Sequence, residues 1–186
     1  MKFDVLDKGF IEVVDSLGND LTVVNSARVS FGKRKSVWSA ADRRLVKYLA
    51  KYKHYSPFRH LQVQFHVKAP EFVMRQWYKH VVGIETTSKS SAKHHWEMAM
   101  FHAKEQYQYL LQMGVGKEQA RAILPLNQYT EVYWTASFQA IMNFIELRNE
   151  KTSQWEIQEY AKVLLECMYG TFPKITEIWA EAHGWE

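Results

Sequence analysis

The chain has few cysteines and no long apolar run, and each shortage excludes a class of protein. Its 186 residues include a single cysteine, Cys167, so an intrachain disulfide is impossible and a reducing compartment is expected. No apolar run approaches the roughly 18 residues of a membrane-spanning helix, and no secretory signal is recognisable. We therefore predict a soluble, cytoplasmic protein with no membrane partner.

Signatures of phosphate loops and metal sites are missing as well. Only eight glycines are present, and Gly114 and Gly116 lack the rest of either nucleotide-binding fingerprint. The eight histidines are dispersed, and the adjacent His94 and His95 would face different sides of a helix. Cys167 falls in the apolar pattern of a helix, which is typical of a core residue and not of a nucleophile. We predict no metal and no cysteine chemistry.

Apolar and aromatic residues are plentiful. They make up 47% and 15% of the chain, with seven tryptophans and ten tyrosines, which is enough for one folded domain over residues 1–186. Such aromatic residues often line interfaces and pockets for flat ligands. The net charge of +4 is a mild bias that is compatible with anionic small molecules. Because the basic residues are scattered and form no stripe, no nucleic-acid partner is predicted.

Hydrophobic periodicity predicts strands and helices without a regular βαβ rhythm, and hence an α+β fold. Alternation predicts strands within 2–14 and 62–67, and the aromatic and β-branched residues of 129–136 predict another. Asp20 is expected to cap a first helix, and Ser39 a second one that runs to about Lys53. Further helices are predicted over 94–113, 117–124, 138–148 and 154–169, with a last one starting at Pro173.

The segment after the alternating run 62–67 concentrates polar groups on one predicted helix. Beyond Pro70 this helix carries Arg75 and Lys79 four residues apart, and Gln76 and His80 likewise, so two neighbouring stripes are polar. Two cations, an amide and an imidazole beside two large aromatic residues suit a flat, anionic ligand that contains a ring. The alternative is a solvated helix end with Lys and His near its negative dipole terminus.

Three more residues are candidate binders of an anionic ring compound. Arg121 lies in a short helix that stops at Pro125, whereas Arg148 ends a helix that also carries Asn143. Arginine is well suited to bidentate phosphate binding, and an asparagine amide can bond the edge of a ring. Either arginine can instead cap helix carbonyls or pair with a carboxylate.

Short blocks distributed over nearly the whole chain follow one another in a recognisable order. They are Asp4–Phe10, Gly18–Leu21, Ala27–Phe31, Ser56–His60, Phe65–Pro70, Arg75–Trp77, Ala120–Asn127, Trp134–Thr135, Met142–Phe144, Leu147–Arg148 and Gln154–Ile157. In residues and in order, these blocks resemble the flavin-dependent thymidylate synthase family.

The resemblance implies an α+β homotetramer, built on an antiparallel sheet with long helices, whose active sites form where subunits meet. It implies reductive methylation of dUMP to dTMP. The carbon donor would be methylenetetrahydrofolate, the redox cofactor FAD and the reductant NADPH. The family needs no covalent enzyme nucleophile, which agrees with the core-like pattern around Cys167.

The resemblance also implies roles for individual residues, carried over by position. The residues expected to hold dUMP, on its phosphate or by polarising its ring, are Gln76, Arg121 and Arg148, of which Arg148 is the catalytic candidate. The residues expected to contact FAD are Ser56 near its phosphates, Lys79 and His80 in the flavin motif, and Asn143 beside the ring.

The chain departs from the family at the flavin motif. Where the family has Arg-His-Arg, then seven intervening residues and then Ser, this chain has Lys79-His80-Val81 and, at the position of the Ser, Lys89. Lysine keeps the charge of arginine but loses its planar fork, and valine removes a cation. Three more positions stand where the family often has flavin-contacting Asn, Arg and His, namely Ser137, Gln139 and Thr152.

A family segment, Asn-Glu-x-Ser-x-Arg-Tyr, which brings a dUMP-binding Ser and Arg, is absent near residues 88–89. Either the protein carries this segment and the present sequence omits it, which we favour, or the protein truly lacks it and binds substrate differently. We predict weak FAD affinity. Three functions remain open: dUMP methylation, pyrimidine nucleotide hydroxymethylation on the same fold, and non-catalytic nucleotide binding.

Overall fold

The computed structural model describes residues 1–32, 34–78 and 90–185, and this part of the chain contains four strands and eight α-helices. The strands are β1 (Lys2–Val5), β2 (Gly9–Leu17), β3 (Gln62–Pro70) and β4 (Tyr129–Ser137). The helices are α1 (Asp20–Ala27), α2 (Ala40–Lys51), α3 (Glu71–Tyr78), α4 (Ser90–Gln112), α5 (Lys117–Ala120), α6 (Phe138–Arg148), α7 (Trp155–Thr171) and α8 (Pro173–His183). Short 3-10 turns lie at Val29–Phe31, Ser56–His60 and Arg121–Ile123. The predicted α+β class is confirmed.

The strands form one sheet in the order β1-β2-β3-β4, and β2 runs antiparallel to both β1 and β3. Alternation in β3 buries Val63, Phe65 and Val67 almost completely, while the residues between them are partly open to solvent. Apolar side chains on every second residue fix which face of a strand enters the core. The predicted antiparallel sheet is therefore confirmed.

The chain divides into two compact units. The first comprises Met1–Lys68 and Glu131–Glu186, and the second comprises Ala69–Thr130. Our expectation of one domain over residues 1–186 stays a prediction.

The core of the first unit is centred on Trp179 of α8, which is fully buried. Its ring meets Phe58 edge-on with centroids 5.1 Å apart, and Phe138 at 5.6 Å. Phe58 and Phe138 are themselves fully buried and stacked at 5.9 Å. Aromatic burial and edge-to-face packing of this kind contribute strongly to stability. The Ser56–His60 turn is thereby fixed against the start of α6.

The N-terminus of α1 corrects one expectation. Asn19, and not Asp20, caps the helix: its Oδ1 accepts from the Leu21 N–H at 3.0 Å, and Thr22 closes the capping box. The Asp20 carboxylate instead accepts from the N–H of Ile175 in the first turn of α8, at 3.1 Å. Both residue types favour helix starts, and only the tertiary contact decides between them.

Within the second unit, the start of α3 is bound to the chain that follows the Arg121–Ile123 turn. The Glu71 N–H donates to the carbonyl of Gln128, and the Phe72 N–H to that of Leu126, both at 2.9 Å. The first N–H groups of a helix have no partner inside the helix, so these bonds both satisfy them and fix α3 in place. In the described part of the chain, no helix is long and apolar enough to cross a membrane.

Candidate functional site

A cavity of about 520 Å³ lies within the second unit. Arg75 reaches it from α3, Tyr107 from α4 and Arg121 from the 3-10 turn after α5. The complete lining is Glu71, Arg75, Tyr107, Arg121, Ala122, Leu124, Pro125, Leu126, Gln128, Tyr129 and Thr130. A volume of this size is typical of sites for small molecules.

The charges in this cavity favour an anion. Arg75 Nε lies 3.8 Å from Glu71 Oε1, a long ion pair on the exposed face of α3. Arg121 is a second arginine of the lining, so the lining residues include two arginines and one glutamate. Because arginine stays charged and offers a planar fork of donors, the pair suits a phosphate or carboxylate ligand. The phenol rings of Tyr107 and Tyr129 add flat surface for a ring.

Gln76, predicted to bind the same ligand as Arg121, lies next to Arg75 on α3 and is half-buried. It is not among the described residues that line the cavity. The structure thus places Arg121 in the lining of the cavity, whereas Gln76 lies next to Arg75 on α3 and outside the described lining. Arg75 was recognised in the sequence as part of a polar stripe, but its place beside Arg121 depends on tertiary packing.

In the first unit, α6 carries two predicted site residues. Arg148, its last residue, is only 8% exposed, and burial lowers the pKa of its guanidinium. An arginine nevertheless remains protonated at neutral pH, because its ordinary pKa lies far above neutrality. Arginines are seldom so deeply buried, and a pKa shifted by burial is one mark of a functional residue, so this position stays a functional candidate. Asn143 lies on the exposed side of the same helix.

Ser56 begins the 3-10 turn that packs against α6 through Phe58 and Phe138, and its side chain is exposed. Ser56 and Asn143 therefore lie on two elements that pack together in the first unit. Ser137 caps α6: its Oγ accepts from the Ala140 N–H at 3.3 Å. Among the polar residues at this contact, Arg59 was missed in the sequence analysis, although it lies three residues after Ser56.

Other predictions fall in different places. Lys79, His80 and Val81, as well as the position of the absent segment, lie outside the described residues. Cys167 is fully buried on α7, and burial raises the pKa of its thiol to about 12. The prediction of a core cysteine is confirmed. Among residues 1–32, 34–78 and 90–185, no three His, Cys, Asp or Glu side chains come together as a metal site.

The predicted residues are thus distributed over both units. Gln76 and Arg121 belong to Ala69–Thr130, while Ser56, Asn143 and Arg148 belong to the unit formed by the rest of the chain. Each unit by itself offers exposed or cavity-lining polar groups of the kind that nucleotides require. These assignments to a nucleotide and a flavin stay predictions.

Comparison with known proteins gives consistent matches. A family model described as thymidylate synthase complementing protein matches residues 12–92 and 81–174. A flavin-dependent thymidylate synthase from Thermotoga neapolitana is 41% identical, over 87% of this chain and 86% of the relative. One from Thermus thermophilus is 36% identical, over 91% of this chain and 74% of the relative.

Among solved structures, the chain is similar to the UMP/dUMP methylase PolB from Streptomyces cacaoi. The form bound with 5-Br UMP has a TM-score of 0.80 at 25% identity, covering 96% of each chain. The form bound with 5-Br dUMP has a TM-score of 0.82 at the same identity, covering 96% of this chain and 97% of the other.

Proposed function

Because the chain belongs to the flavin-dependent thymidylate synthase family, as its sequence blocks predicted, we propose that it methylates dUMP to dTMP. In this proposal methylenetetrahydrofolate donates the carbon, FAD is the redox cofactor and NADPH is the reductant. Family membership confirms the prediction of an enzyme of the methyltransferase class. The observation that carries the substrate assignment is the cavity with Arg75 and Arg121 in its lining.

Arg121 is the proposed anchor for the phosphate of dUMP. Arg121 lines the cavity together with Arg75, and two N–H groups of one guanidinium can bond two phosphate oxygens at once. The tyrosine rings of the lining offer apolar contact to a nucleoside. Gln76, one residue beyond Arg75, has an amide that both donates and accepts, which matches the paired carbonyl and N–H of a uracil ring.

Arg148 is the proposed catalytic residue. Methylation at a pyrimidine carbon requires electron density to shift within the ring, and a cation that bonds a ring carbonyl stabilises the charge that develops. A largely buried guanidinium is more effective in this role than an exposed one, because water screens it less. No cysteine nucleophile takes part in the proposal, which agrees with the burial and raised pKa of Cys167.

The residues on the packed Ser56–His60 turn and α6 fit FAD. The hydroxyl of Ser56 and the amide of Asn143 are exposed, and such neutral donors suit phosphate oxygens and the polar edge of a flavin ring. Ser56 would hold the phosphates, and Asn143 the ring. When bound, FAD supplies the reducing equivalents that convert the transferred carbon into a methyl group. Lys79 and His80, which lie outside the described residues, are proposed as further contacts to FAD.

We also propose a homotetramer with active sites at subunit interfaces. Support comes from apolar side chains in the loop between α1 and α2: Val29, Phe31 and Val37 are each more than 70% exposed. Several large apolar side chains exposed so close in sequence are typical of a surface that another chain covers. Light scattering of the purified protein should give four times the chain mass, and a monomer would contradict the proposal.

The absent family segment bears on substrate binding. The alignment with the Thermotoga relative spans 186 positions but uses only 87% of this chain, so the relative has residues for which this chain has no counterpart. We propose that the natural protein carries the segment. Sequencing the gene and weighing the intact protein would test this, and a mass of 22.0 kDa would contradict it.

The function is tested by incubating the protein with FAD, NADPH, methylenetetrahydrofolate and either dUMP or UMP. UMP is included because the similar solved structure is of a UMP/dUMP methylase. The proposal expects dTMP, detected by mass spectrometry, and NADPH oxidation that depends on dUMP. Hydroxymethyl-dUMP as product would select the hydroxymethylase alternative. Absence of any product, with flavin bound or not, would favour the non-catalytic alternative.

A further inference from the structure

Arg59 and Gln139 form a hydrogen bond between the Ser56–His60 turn and the first turn of α6. Arg59 Nε donates to Gln139 Oε1 at 2.6 Å. Arg59 is exposed and Gln139 is half-buried. Among the described residues, no carboxylate pairs with Arg59. The guanidinium is thus held in place by a neutral group, and within the part of the chain that the structure describes no acidic partner compensates its charge.

Both residues are attached to rigid positions. Arg59 directly follows Phe58, and Gln139 directly follows Phe138. These two rings are fully buried and stacked on each other. The Phe138 N–H also donates to the Leu61 carbonyl at 2.8 Å, which binds the end of the turn to the start of α6. The bases of both polar side chains are therefore fixed by the core below them.

An arginine bonded in this way is prepared to bind an anion. A guanidinium has five N–H donors, and the bond through Nε leaves the two terminal amino groups for other acceptors. A carboxylate partner would have neutralised the charge, whereas an amide restricts the side chain without doing so. Restricting a flexible side chain before binding lowers the entropy lost when the ligand binds. Paired terminal N–H groups match two oxygens of a phosphate.

We propose that Arg59 binds the pyrophosphate of FAD and that Gln139 is its positioning residue. The inference rests on the proposed function for the identity of the anion. Ser56, on the same turn, and Asn143, four residues after Gln139 on α6, are the predicted contacts for the phosphates and the ring. Residues four apart on a helix lie on one face, separated by about 6 Å along the axis. The family often has a flavin-contacting arginine at the position of Gln139. Arg59 would supply at this surface the positive charge that Gln139 lacks.

The test measures binding of riboflavin, FMN and FAD, which share the ring and differ in phosphates, by flavin fluorescence in the absence of dUMP. Variants are Arg59→Ala, Arg59→Lys and Gln139→Ala, with Arg44→Ala, an exposed arginine of α2, as the matched control. We expect Arg59→Ala to raise the Kd for FAD about tenfold or more, as for loss of a charged hydrogen bond. Riboflavin should be unaffected, Arg59→Lys intermediate and the control unchanged.

Gln139→Ala should raise the Kd for FAD by a smaller factor of about three, and the effect of Arg59→Ala should be smaller in that background, as expected for coupled residues. Thermal unfolding of each variant checks the fold. The inference is overturned if Arg59→Ala binds FAD within twofold of the unmodified protein, if it weakens riboflavin equally, or if the unmodified protein binds no FAD. A protein that binds FAD through Arg59 but forms no dTMP would contradict the proposed function and leave this inference standing.

Discussion

Arg28 Nη1 lies 2.8 Å from Asp42 Oδ1, which connects the residue after α1 to a fully buried carboxylate in the first turn of α2. The other oxygen, Oδ2, accepts from Lys35 Nζ and from the Ser39 N–H. Arg28 and Lys35 stand on either side of the segment 29–34. One carboxylate thus holds both ends of the loop that exposes Val29 and Phe31.

Replacement of Asp42 by Asn should destabilise the protein by about 2–4 kcal/mol, because two cations lose their shared partner. The loss is at the lower end for buried pairs, since the side chains of Arg28 and Lys35 remain 25% and 30% exposed and can reach water. Urea unfolding measures the change. Asp4→Asn, on the exposed side of β1, is the control and should change the free energy of unfolding by less than about 0.5 kcal/mol.

The same carboxylate predicts how stability depends on acid. Burial alone would raise the pKa of Asp42, but hydrogen bonds from Lys35 and Ser39 outweigh it and lower the pKa to about 2 from an ordinary 3.8. A lowered pKa stabilises the folded state above pH 3.8, and this contribution of about 2 kcal/mol disappears between pH 3.8 and 2. Asp42→Asn should therefore show a flatter dependence on pH in that window. Identical curves would refute this assignment.

Gly9 begins β2 at a point where no side chain fits. A Cβ there would lie 2.7 Å from the Val5 carbonyl and 2.8 Å from that of Lys68, and would also overlap the hydroxyl of Tyr160. Since backbone carbonyls in a sheet cannot move aside easily, Gly9→Ala should lower the free energy of unfolding by about 2–3 kcal/mol. At Gly116, a Cβ would meet nothing closer than 3.7 Å, so Gly116→Ala is the control. Equal melting temperatures for both variants would disprove the steric argument.

Cys167 should react with thiol reagents only when the protein unfolds. With a pKa of about 12, about one thiol in ten thousand is ionised at pH 8, and the side chain is inaccessible. Labelling by a disulfide reagent should therefore be slow in buffer and fast in denaturing urea. Fast labelling of the native protein, without loss of structure, would be inconsistent with the buried position.

Arg121→Ala should raise the Kd for dUMP by about tenfold to a hundredfold, since charged hydrogen bonds contribute about 1.5–3 kcal/mol. Arg121→Lys should recover part of the affinity, because lysine keeps the charge without the fork. Arg75→Ala should have a smaller effect, since Glu71 already lies near its guanidinium. Calorimetry measures all three, with Arg44→Ala as control. An unchanged affinity in Arg121→Ala would remove this residue from the site.

Patterns that repeat along the chain were predictable. Alternation located β3, and apolar spacing on α7 placed Cys167 in the core, because both depend on which residues follow each other at periods of 2 and 3.6. The start of α8 at Pro173 was also predictable from a local signal, since proline is tolerated at the first helical position. Asp20 was the wrong cap, because its real partner, Ile175, lies far along the chain.

The candidate site also divides into features that local sequence determines and features that tertiary contacts decide. The sequence by itself determined the α+β class, the family, and the identity of candidate residues such as Arg121 and Arg148, because residue types at given positions are local information. Only the tertiary structure placed Arg75 beside Arg121 in one cavity and bonded Arg59 to Gln139. Both arrangements join residues tens of positions apart. The Arg59–Gln139 bond depends on the packing of Phe58 against Phe138 beneath it, which no local pattern encodes.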